Sequence, residues 1–222
     1  MNTISNLVSE FIYKEPFLVE MISNEMVNLS ALARKLKPEI ERVQGKPITA
    51  SSVMMALKRL TPEIQLKLQK LALPRQTIFQ NITIRSNLCD YTFENAPTLV
   101  LCQKNLLENF IKNSDVFYTV SRGVHESTII ISSNYSEMLE QLFVNETLLS
   151  KTINLGSLSM TLPKNNTIVI GLYYSIFKNI AWNGINIYEV ISTTNEITIL
   201  VNELDLGRAF EILNGFKFQV IN

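Results

Sequence analysis

Two neighbouring segments carry most of the structural information in this chain: Asn179-Ile-Ala-Trp-Asn-Gly-Ile-Asn-Ile187 and Ile191-Ser-Thr-Thr-Asn-Glu-Ile-Thr-Ile-Leu-Val201. The first contains the end of an apolar helix, which Gly184 closes in the usual C-terminal role of glycine. The second places a strand after a short Ser/Thr turn, as in a tight hairpin. Asp205 then marks the start of another helix, where a carboxylate favours the positive end of the helix dipole.

The same pattern occurs 70 residues earlier in the chain. At this offset Glu126-Ser-Thr-Ile-Ile-Ile131 aligns with Glu196-Ile-Thr-Ile-Leu-Val201, and the apolar helix at residues 99–110 aligns with residues 169–180. Such internal repeats decide the fold before any local detail. Each copy is predicted to run strand, helix, strand, strand, helix, strand, which is the ferredoxin-like βαββαβ arrangement. In the second copy we expect its first strand at residues 155–162.

The charge distribution separates a third part of the chain. The net charge is zero overall, but residues 1–75 hold 11 basic and 7 acidic side chains, and residues 76–222 hold 9 and 13. The first part lacks β-branched runs and shows helical spacing of apolar residues. We therefore predict an α+β protein with an all-α domain at residues 1–75, followed by ferredoxin-like domains at residues 76–152 and 153–222.

Two helices of the basic domain resemble a helix-turn-helix. Residues 29–36 have the small side chains of a supporting helix, with Ser30 as a possible cap, and residues 49–60 have the polar start and basic end of a recognition helix. Residues 34–75 hold 10 basic and 3 acidic side chains, which is an electrostatic footprint for a polyanion. A solvated docking bundle explains the same residues, and both interpretations stay open. The candidate base readers are Thr49, Ser51, Ser52 and Lys58, and the candidate phosphate contacts are Arg34, Lys35 and Arg59.

The second repeat strongly resembles an ACT domain, and the pair is most similar to the regulatory ACT domains of aspartokinases. The resemblance rests on the Gly-Ile-Asn-Ile strand at residues 184–187, the Ser/Thr turn, the apolar strand and the acid-capped helix. It covers roughly residues 76–222. Through Asn28-Leu-Ser-Ala-Leu-Ala-Arg34 and Lys37-Pro-Glu-Ile40, residues 17–60 are similar to the front part of small ACT-containing proteins described as predicted regulators of amino acid metabolism. The resemblance implies small-molecule sensing, often of amino acids, and side-by-side pairing of sheets. Because a lone ACT pair leaves sheet edges open, we expect a homodimer or larger homo-oligomer.

In ACT domains the ligand typically sits where the loop after the first strand meets the start of a neighbour's second strand. A helix N-terminus there offers free N–H groups to a carboxylate. The resemblance assigns ligand binding to Lys164, Asn165, Asn166, Thr167, Asn183, Gly184, Ile185 and Asn186. The loop departs from the family because it carries asparagines where glycine is common. Asparagine tolerates left-handed backbone, so a retained site and a lost site both remain open.

Composition argues against several other classes of function. One His and two Cys are too few for a common four-ligand zinc site, and no Gly-rich phosphate loop is present. We therefore expect no catalytic residue, no metal and no cofactor, with His125, Cys89 and Cys102 in ordinary structural positions. The lack of a signal peptide, of a long apolar segment and of a disulfide framework predicts a cytoplasmic protein without membrane contact.

Two functions follow from these expectations. The first is a regulator in which an amino acid binds the ACT pair and changes the hold of the basic domain on double-stranded DNA. The alternative is a non-catalytic regulatory or scaffolding subunit that binds a partner enzyme through its ACT domains and does not bind DNA.

Overall fold

The computed structural model describes residues 3–71, 81–110, 115–164, 166 and 171–215. The chain divides into two compact units, Met1–Ala72 and Leu73–Asn222. The first described unit is helical, and the second combines an antiparallel sheet with helices, so the protein is α+β. Within the described ranges, every helix is too short or too polar to cross a membrane.

The helical unit contains four helices around one core. They are α1 (Ile4–Tyr13), α2 (Pro16–Ser23), α3 (Leu29–Gln44) and α4 (Ala50–Leu71). Each contributes an apolar stripe at helical spacing, which is what buries a surface helix against its neighbours. The largest fully buried side chains of this core are Ile12, Ile22, Ile40, Leu57 and Ile64. Val43 lies outside the core and is half exposed.

The start of α3 differs from the prediction. The cap is Asn28, whose Oδ1 accepts a hydrogen bond from the backbone N–H of Ala31 at 3.0 Å. Ser30, the predicted cap, lies inside the first turn, where its Oγ contacts the Sδ of Met54 at 3.2 Å. Both residue types favour caps, so the sequence alone does not separate two positions this close together.

The connection between α3 and α4 is shorter than the sequence indicates. Pro38 lies inside α3, which continues to Gln44 and ends at Gly45 with a left-handed φ of 68°. Pro38 is exposed, so water can reach the Arg34 carbonyl that loses its helical partner. Five residues, 45–49, then lead to α4, whose start is capped by Thr49: its Oγ1 accepts from the Ser52 N–H at 3.1 Å.

The second unit contains a six-stranded antiparallel sheet and four described α-helices. In chain order the elements are β1 (Ile82–Glu94), α5 (Leu99–Glu108), β2 (Tyr118–Arg122), β3 (Glu126–Ser132), α6 (Ser136–Leu142), β4 (Leu148–Thr161), α7 (Leu172–Trp182), β5 (Glu189–Ser192), β6 (Glu196–Asn202) and α8 (Leu206–Gly215). The strand order across the sheet is β2-β3-β1-β4-β6-β5. This places the two long strands, β1 and β4, at the centre.

Each of the two central strands, β1 and β4, takes part in the pairing of both halves of the sheet. The second part of β1 pairs with β3 and with the first part of β4, whereas residues 82–85 of β1 pair with residues 157–160 of β4. Residues 155–161 of β4 also pair with β6. Each strand contains an asparagine with positive φ near the crossover, Asn87 at 55° and Asn154 at 57°, where the ladder changes register. These irregularities let one strand continue through two ladders.

The internal repeat is visible in the elements. β3 and β6, the 3₁₀ turns Ser133–Tyr135 and Glu203–Asp205, and the starts of α6 and α8 keep the predicted offset of 70. The first strands are 67 residues apart instead, because Leu88 lies opposite Ser132 and Leu155 opposite Asn202. The second copy therefore has three more residues than the first copy between its first strand and its β-hairpin.

Two predicted strand boundaries were wrong. The strand predicted at residues 155–162 begins seven residues earlier, as the continuous β4. The strand expected from Ile185 begins at Glu189, because the Ile185 N–H first completes the end of α7 by donating to the Ile180 carbonyl. The predicted closing strand at Phe218, Val220 and Ile221 lies outside the described residues.

Helices cover one face of the sheet. On the opposite face, termed the helix-free face below, no described helix of this unit packs. Alternate residues such as Tyr91 and Ile129 form a core with α5 and α6, and Leu158 and Ile199 form its counterpart with α7 and α8. The opposite face has a smaller apolar cluster at its centre, composed of Leu88, Ile130, Leu155 and Leu200. The cleft described below lies on this second face.

Candidate functional site

Three of the predicted ligand residues build the end of α7. The Gly184 N–H donates to the Ala181 carbonyl at 3.0 Å, and the Ile185 N–H donates to the Ile180 carbonyl at 3.2 Å. With Gly184 at φ 70°, this is a Schellman motif, in which a left-handed residue satisfies the last helix carbonyls. Ile185 is buried against the helix core. Gly184 and Ile185 therefore have a structural role whatever they bind.

Asn183 is also held locally. Its side-chain amide donates to the Asn179 carbonyl, and its own carbonyl accepts from Arg208 of α8, each at 2.8 Å. Arg208 lies 3.4 Å from Asp205 and brings a positive charge to the C-terminal end of α7, where the helix dipole favours it. Of this segment, Asn186 is the exposed residue whose side chain remains available to a ligand.

The other predicted segment, residues 164–167, follows β4. Lys164 is exposed in a turn, and Asn166 is nearly buried. The Asn166 amide donates to the carbonyls of Pro163 at 2.9 Å and Thr194 at 2.6 Å, which ties this loop to the β5–β6 hairpin. Asn165 and Thr167 lie outside the described residues. Asn166 thus stabilises the loop, and Lys164 is its accessible cation.

The two segments lie at opposite ends of α7. This helix has 11 residues, so at about 1.5 Å per residue its two ends are about 16 Å apart. A single copy of this half therefore does not join them into one site. The prediction placed the second segment on a neighbouring ACT domain, so the ligand site stays a prediction that needs such a neighbour.

The candidate DNA contacts lie on α3, α4 and the turn between them. Arg34, Lys35, Lys58 and Arg59 are exposed helix residues, and Thr49 and Ser51 are exposed at the start of α4. Ser52 is half-buried, and its Oγ donates to the Thr49 carbonyl at 2.7 Å, so it belongs to the cap. Ser51, Met55 and Lys58 follow the i, i+4, i+7 spacing and share one exposed face.

A cleft that the sequence did not predict lies on the helix-free face of the sheet. It has a volume of about 210 Å³ and is lined by β2 and β5 together with Thr128 and Ile130 of β3. β2 and β5 are the first and last strands of the sheet, so the sheet curls until its two edges face each other. Its polar lining comes from hydroxyl groups and the Glu189 carboxylate.

Asp90 lies beside this cleft. It is opposite Ile130 in the ladder, and burial together with the negative charge of Glu189 raises the pKa of its carboxyl to about 6. Neither Asp90 nor Glu189 is among the site residues predicted from the sequence. The sequence feature that could have identified Asp90 is the alternation along β1. Cys89, Tyr91 and Phe93 occupy one face of this strand, and Asp90 occupies the other.

The residues considered for catalysis have structural settings. His125 is exposed in the turn between β2 and β3, and Cys89 is buried with Ser133 and Ser136 near its sulfur. Cys102 is partly buried, and burial and the nearby Glu146 raise the pKa of its thiol. Within the part of the chain that is described, His, Cys, Asp and Glu side chains do not form a group of three that could share a metal ion.

Comparisons with known proteins show which solved structures have a similar fold. No protein-family model and no curated protein sequence matches the chain. The regulatory subunit of aspartate kinase from Thermus flavus matches with a TM-score of 0.50 and 8% identity, covering 63% of this chain and 99% of that one. Aspartate kinase from Clostridium acetobutylicum matches with a TM-score of 0.51 and 14% identity, covering 64% of this chain and 35% of that one.

Aspartokinase III from E. coli, in complex with lysine and aspartate, matches with a TM-score of 0.50 and 10% identity. The match covers 67% of this chain and 35% of the kinase chain, so the matched region is about a third of that enzyme's length. At these identities the likeness concerns the fold alone. This chain contains the ACT-type fold of aspartokinase regulatory domains.

Proposed function

We propose that this protein is a non-catalytic regulator that senses an amino acid through ACT-type halves at residues 76–152 and 153–222. The supporting observation is the duplicated sheet, which has the fold of aspartokinase regulatory domains and in which β3 and α6 are offset by 70 residues from β6 and α8. The structure of one protein with this fold contains lysine and aspartate. Amino-acid sensing is the function that this fold supports best.

The expected site joins the loop after the first strand of one half to the start of the second strand of a neighbour. Lys164 and Asn186 are its accessible residues in the described chain, one cationic and one an amide. A cation suits the ligand carboxylate, and an amide oxygen suits the ammonium group. Because one copy keeps these residues at opposite ends of α7, the proposal includes a homodimer.

Thermal-shift measurement against the twenty amino acids tests this proposal. We expect one or a few to raise the melting temperature, and Lys164→Ala or Asn186→Ala to abolish the shift. Lys104→Ala is the matched control, because Lys104 is an exposed helix residue away from both segments. A melting temperature that no amino acid moves, or a shift that both site variants retain, contradicts amino-acid binding at this site.

The same proposal gives the helical unit a role in binding double-stranded DNA. Its support is the exposed row of Ser51 and Lys58 on α4, with Arg34, Lys35 and Arg59 as additional surface cations. Phosphate contacts by Lys and Arg dominate such binding and make it depend on salt. A band-shift assay at low salt, with and without the amino-acid panel, is the direct test.

Arg59→Glu, at a candidate phosphate contact, is expected to weaken DNA binding on all sequences by a similar factor and to reduce the salt dependence by about one phosphate contact. Lys104→Glu makes the same charge change on α5 and serves as control. An equal effect of the two variants would show that only net charge matters.

The alternative is a subunit that regulates a partner enzyme and does not bind DNA. Exposed apolar side chains on α5 favour it: Val100 is 49% exposed, Leu101 61% and Leu107 45%. Contiguous exposed apolar surface commonly marks an interaction site. Amino-acid binding without any DNA shift would favour this alternative over the regulator.

A further inference from the structure

The cleft between β2 and β5 is separate from the two loop segments proposed above for amino-acid binding. It lies on the helix-free face of the sheet, and its walls are the two edge strands. At about 210 Å³ it is smaller than the roughly 300–1,000 Å³ of drug-sized pockets. Its occupant must therefore be small, no larger than an amino acid or a short-chain amine.

Among the described residues that line the cleft, one side chain is charged. Glu189 lines it, and the Glu189 charge acts on the Asp90 carboxyl although three strand positions separate β1 from β5 in the sheet. The curl of the sheet brings the two carboxyl groups toward each other. The neighbours of Asp90 in the ladders, Ile130 and Thr152, carry no charge. A cation at this point would relieve the repulsion.

A buried hydroxyl on the same face also lacks a partner. Ser157 is fully buried, and its Oγ makes no hydrogen bond within the described residues. Ser157 lies opposite Leu200, and Leu200 lies opposite Glu189, so the three residues form one row across β4, β6 and β5. Ser157 is not among the residues that line the cleft, so this hydroxyl belongs to the neighbouring part of the sheet and not to the proposed site.

These observations distinguish between kinds of cation. A metal ion prefers several oxygen or nitrogen ligands, and the described residues supply no group of three acidic, His or Cys side chains. An ammonium group has three N–H donors, which suit two carboxylates and nearby hydroxyls. Ile130, Val190 and Ile191 give the cleft apolar walls for a short carbon chain.

We propose that this cleft binds a small molecule with a primary ammonium group, held between the carboxylates of Asp90 and Glu189. The hydroxyls of Thr119 and Thr128 accept its remaining hydrogen bonds, and the apolar walls contact its carbon chain. The site would serve both halves of the sheet at once, since β2 belongs to one and β5 to the other.

Isothermal titration calorimetry of the full chain with 1,5-diaminopentane tests the proposal at neutral pH. We expect measurable binding, and no binding of 1,5-pentanediol, which has the same chain without charge. Glu189→Gln and Asp90→Asn are each expected to weaken binding about tenfold or more, since each removes one partner of a charged pair. Glu196→Gln, on an exposed carboxylate at the start of β6, should leave the affinity unchanged.

Three results would overturn the proposal: no binding of the diamine at millimolar concentration, equal binding of the diol, or full affinity in Glu189→Gln. Two charge variants are used so that a folding defect in one, visible by circular dichroism, does not decide the outcome. Lys164→Ala is expected to retain diamine binding. This variant separates failure of the cleft from failure of the proposed amino-acid site.

Discussion

Asp90 makes the stability of the sheet depend on pH. Its carboxyl is half-buried beside Glu189, and its pKa is raised from 3.8 to about 6. Between these values the folded state binds more protons than the unfolded state, so the free energy of unfolding decreases as pH rises through this range. Above pH 6 the full penalty for the ionised group is present.

Asp90→Asn is therefore expected to raise the free energy of unfolding at pH 7 by about 2 kcal/mol. A shift of about two pKa units corresponds to about 3 kcal/mol, and solvent screening of the half-buried carboxyl reduces this value. Near pH 4 the variant and the parent protein should differ little. Urea unfolding at several pH values measures this. Glu189→Gln is the companion variant, because removing its charge lowers the pKa of Asp90 and flattens the same slope. A penalty that persists at pH 4 would contradict the assignment.

Gly184 shows how a residue typical of a ligand loop is fixed by backbone geometry. Its φ of 70° completes the Schellman motif of α7, and a Cβ there would meet nothing within 4 Å. Gly184→Ala should therefore lower the free energy of unfolding by about 1–2 kcal/mol, from the left-handed conformation alone. Thermal unfolding measures the loss.

Gly207→Ala is the matched control for this prediction. Gly207 lies in the first turn of α8, and a Cβ there also meets nothing within 4 Å. Alanine is the better helix former by about 1 kcal/mol, so this variant should stabilise the protein slightly. Equal effects of the two substitutions would mean that the conformation at Gly184 is not the cause.

At the scale of elements, the N-cap residue of α3 differs between the structure, where it is Asn28, and the sequence prediction, where it is Ser30. Asn28→Ala removes the hydrogen bond to the Ala31 N–H and should cost about 1 kcal/mol of stability. Ser30→Ala, at the position that the sequence suggested, should change stability by less than about 0.5 kcal/mol. Chemical denaturation of both variants decides, and a larger loss in Ser30→Ala would reverse the assignment.

The elements themselves were largely predictable because their periodicity is strong. The stripe of Leu7, Val8 and Ile12 and the apolar strand of residues 196–202 lie where spacing indicated. Sequence periodicity does not reveal that β1 and β4 each serve two ladders, because this depends on pairing between residues about 70 apart. The asparagines at the crossover, Asn87 and Asn154, look like ordinary polar residues within strand patterns.

The candidate sites were less predictable than the elements. Gly184 and Asn166 fit a ligand motif by residue type, yet their described contacts belong to a helix end and a loop. The cleft with Asp90 and Glu189 escaped prediction because it forms only when the sheet curls and brings its two edges together. Curl and burial are properties of the assembled sheet, so a single strand pattern does not carry them.

At the scale of the whole molecule, the charge difference between the two parts of the chain coincides with two separate cores. The buried residues of the helical unit cluster with one another, and those of the sheet unit form their own clusters around β1 and β4. Separate cores permit separate unfolding, whereas the shared central strands make both halves of the sheet one cooperative unit.

Two core variants test this division. Leu57→Ala removes a fully buried side chain from the helical core, and Leu155→Ala removes one from the centre of the sheet, where β1, β4 and β6 meet. Each should lower the stability of its own unit by about 2–5 kcal/mol. Hydrogen exchange followed by mass spectrometry measures both units in the same intact chain.

Leu155→Ala is expected to reduce protection in β3 and β6 by the same factor, because both depend on the shared strands, and to leave α3 and α4 unchanged. Leu57→Ala should give the reverse pattern. Loss of protection in β6 alone would mean that the halves of the sheet unfold separately. A sensor whose halves unfold as one can transmit ligand binding in either half to the whole sheet, so this experiment also tests a requirement of the proposed regulatory function.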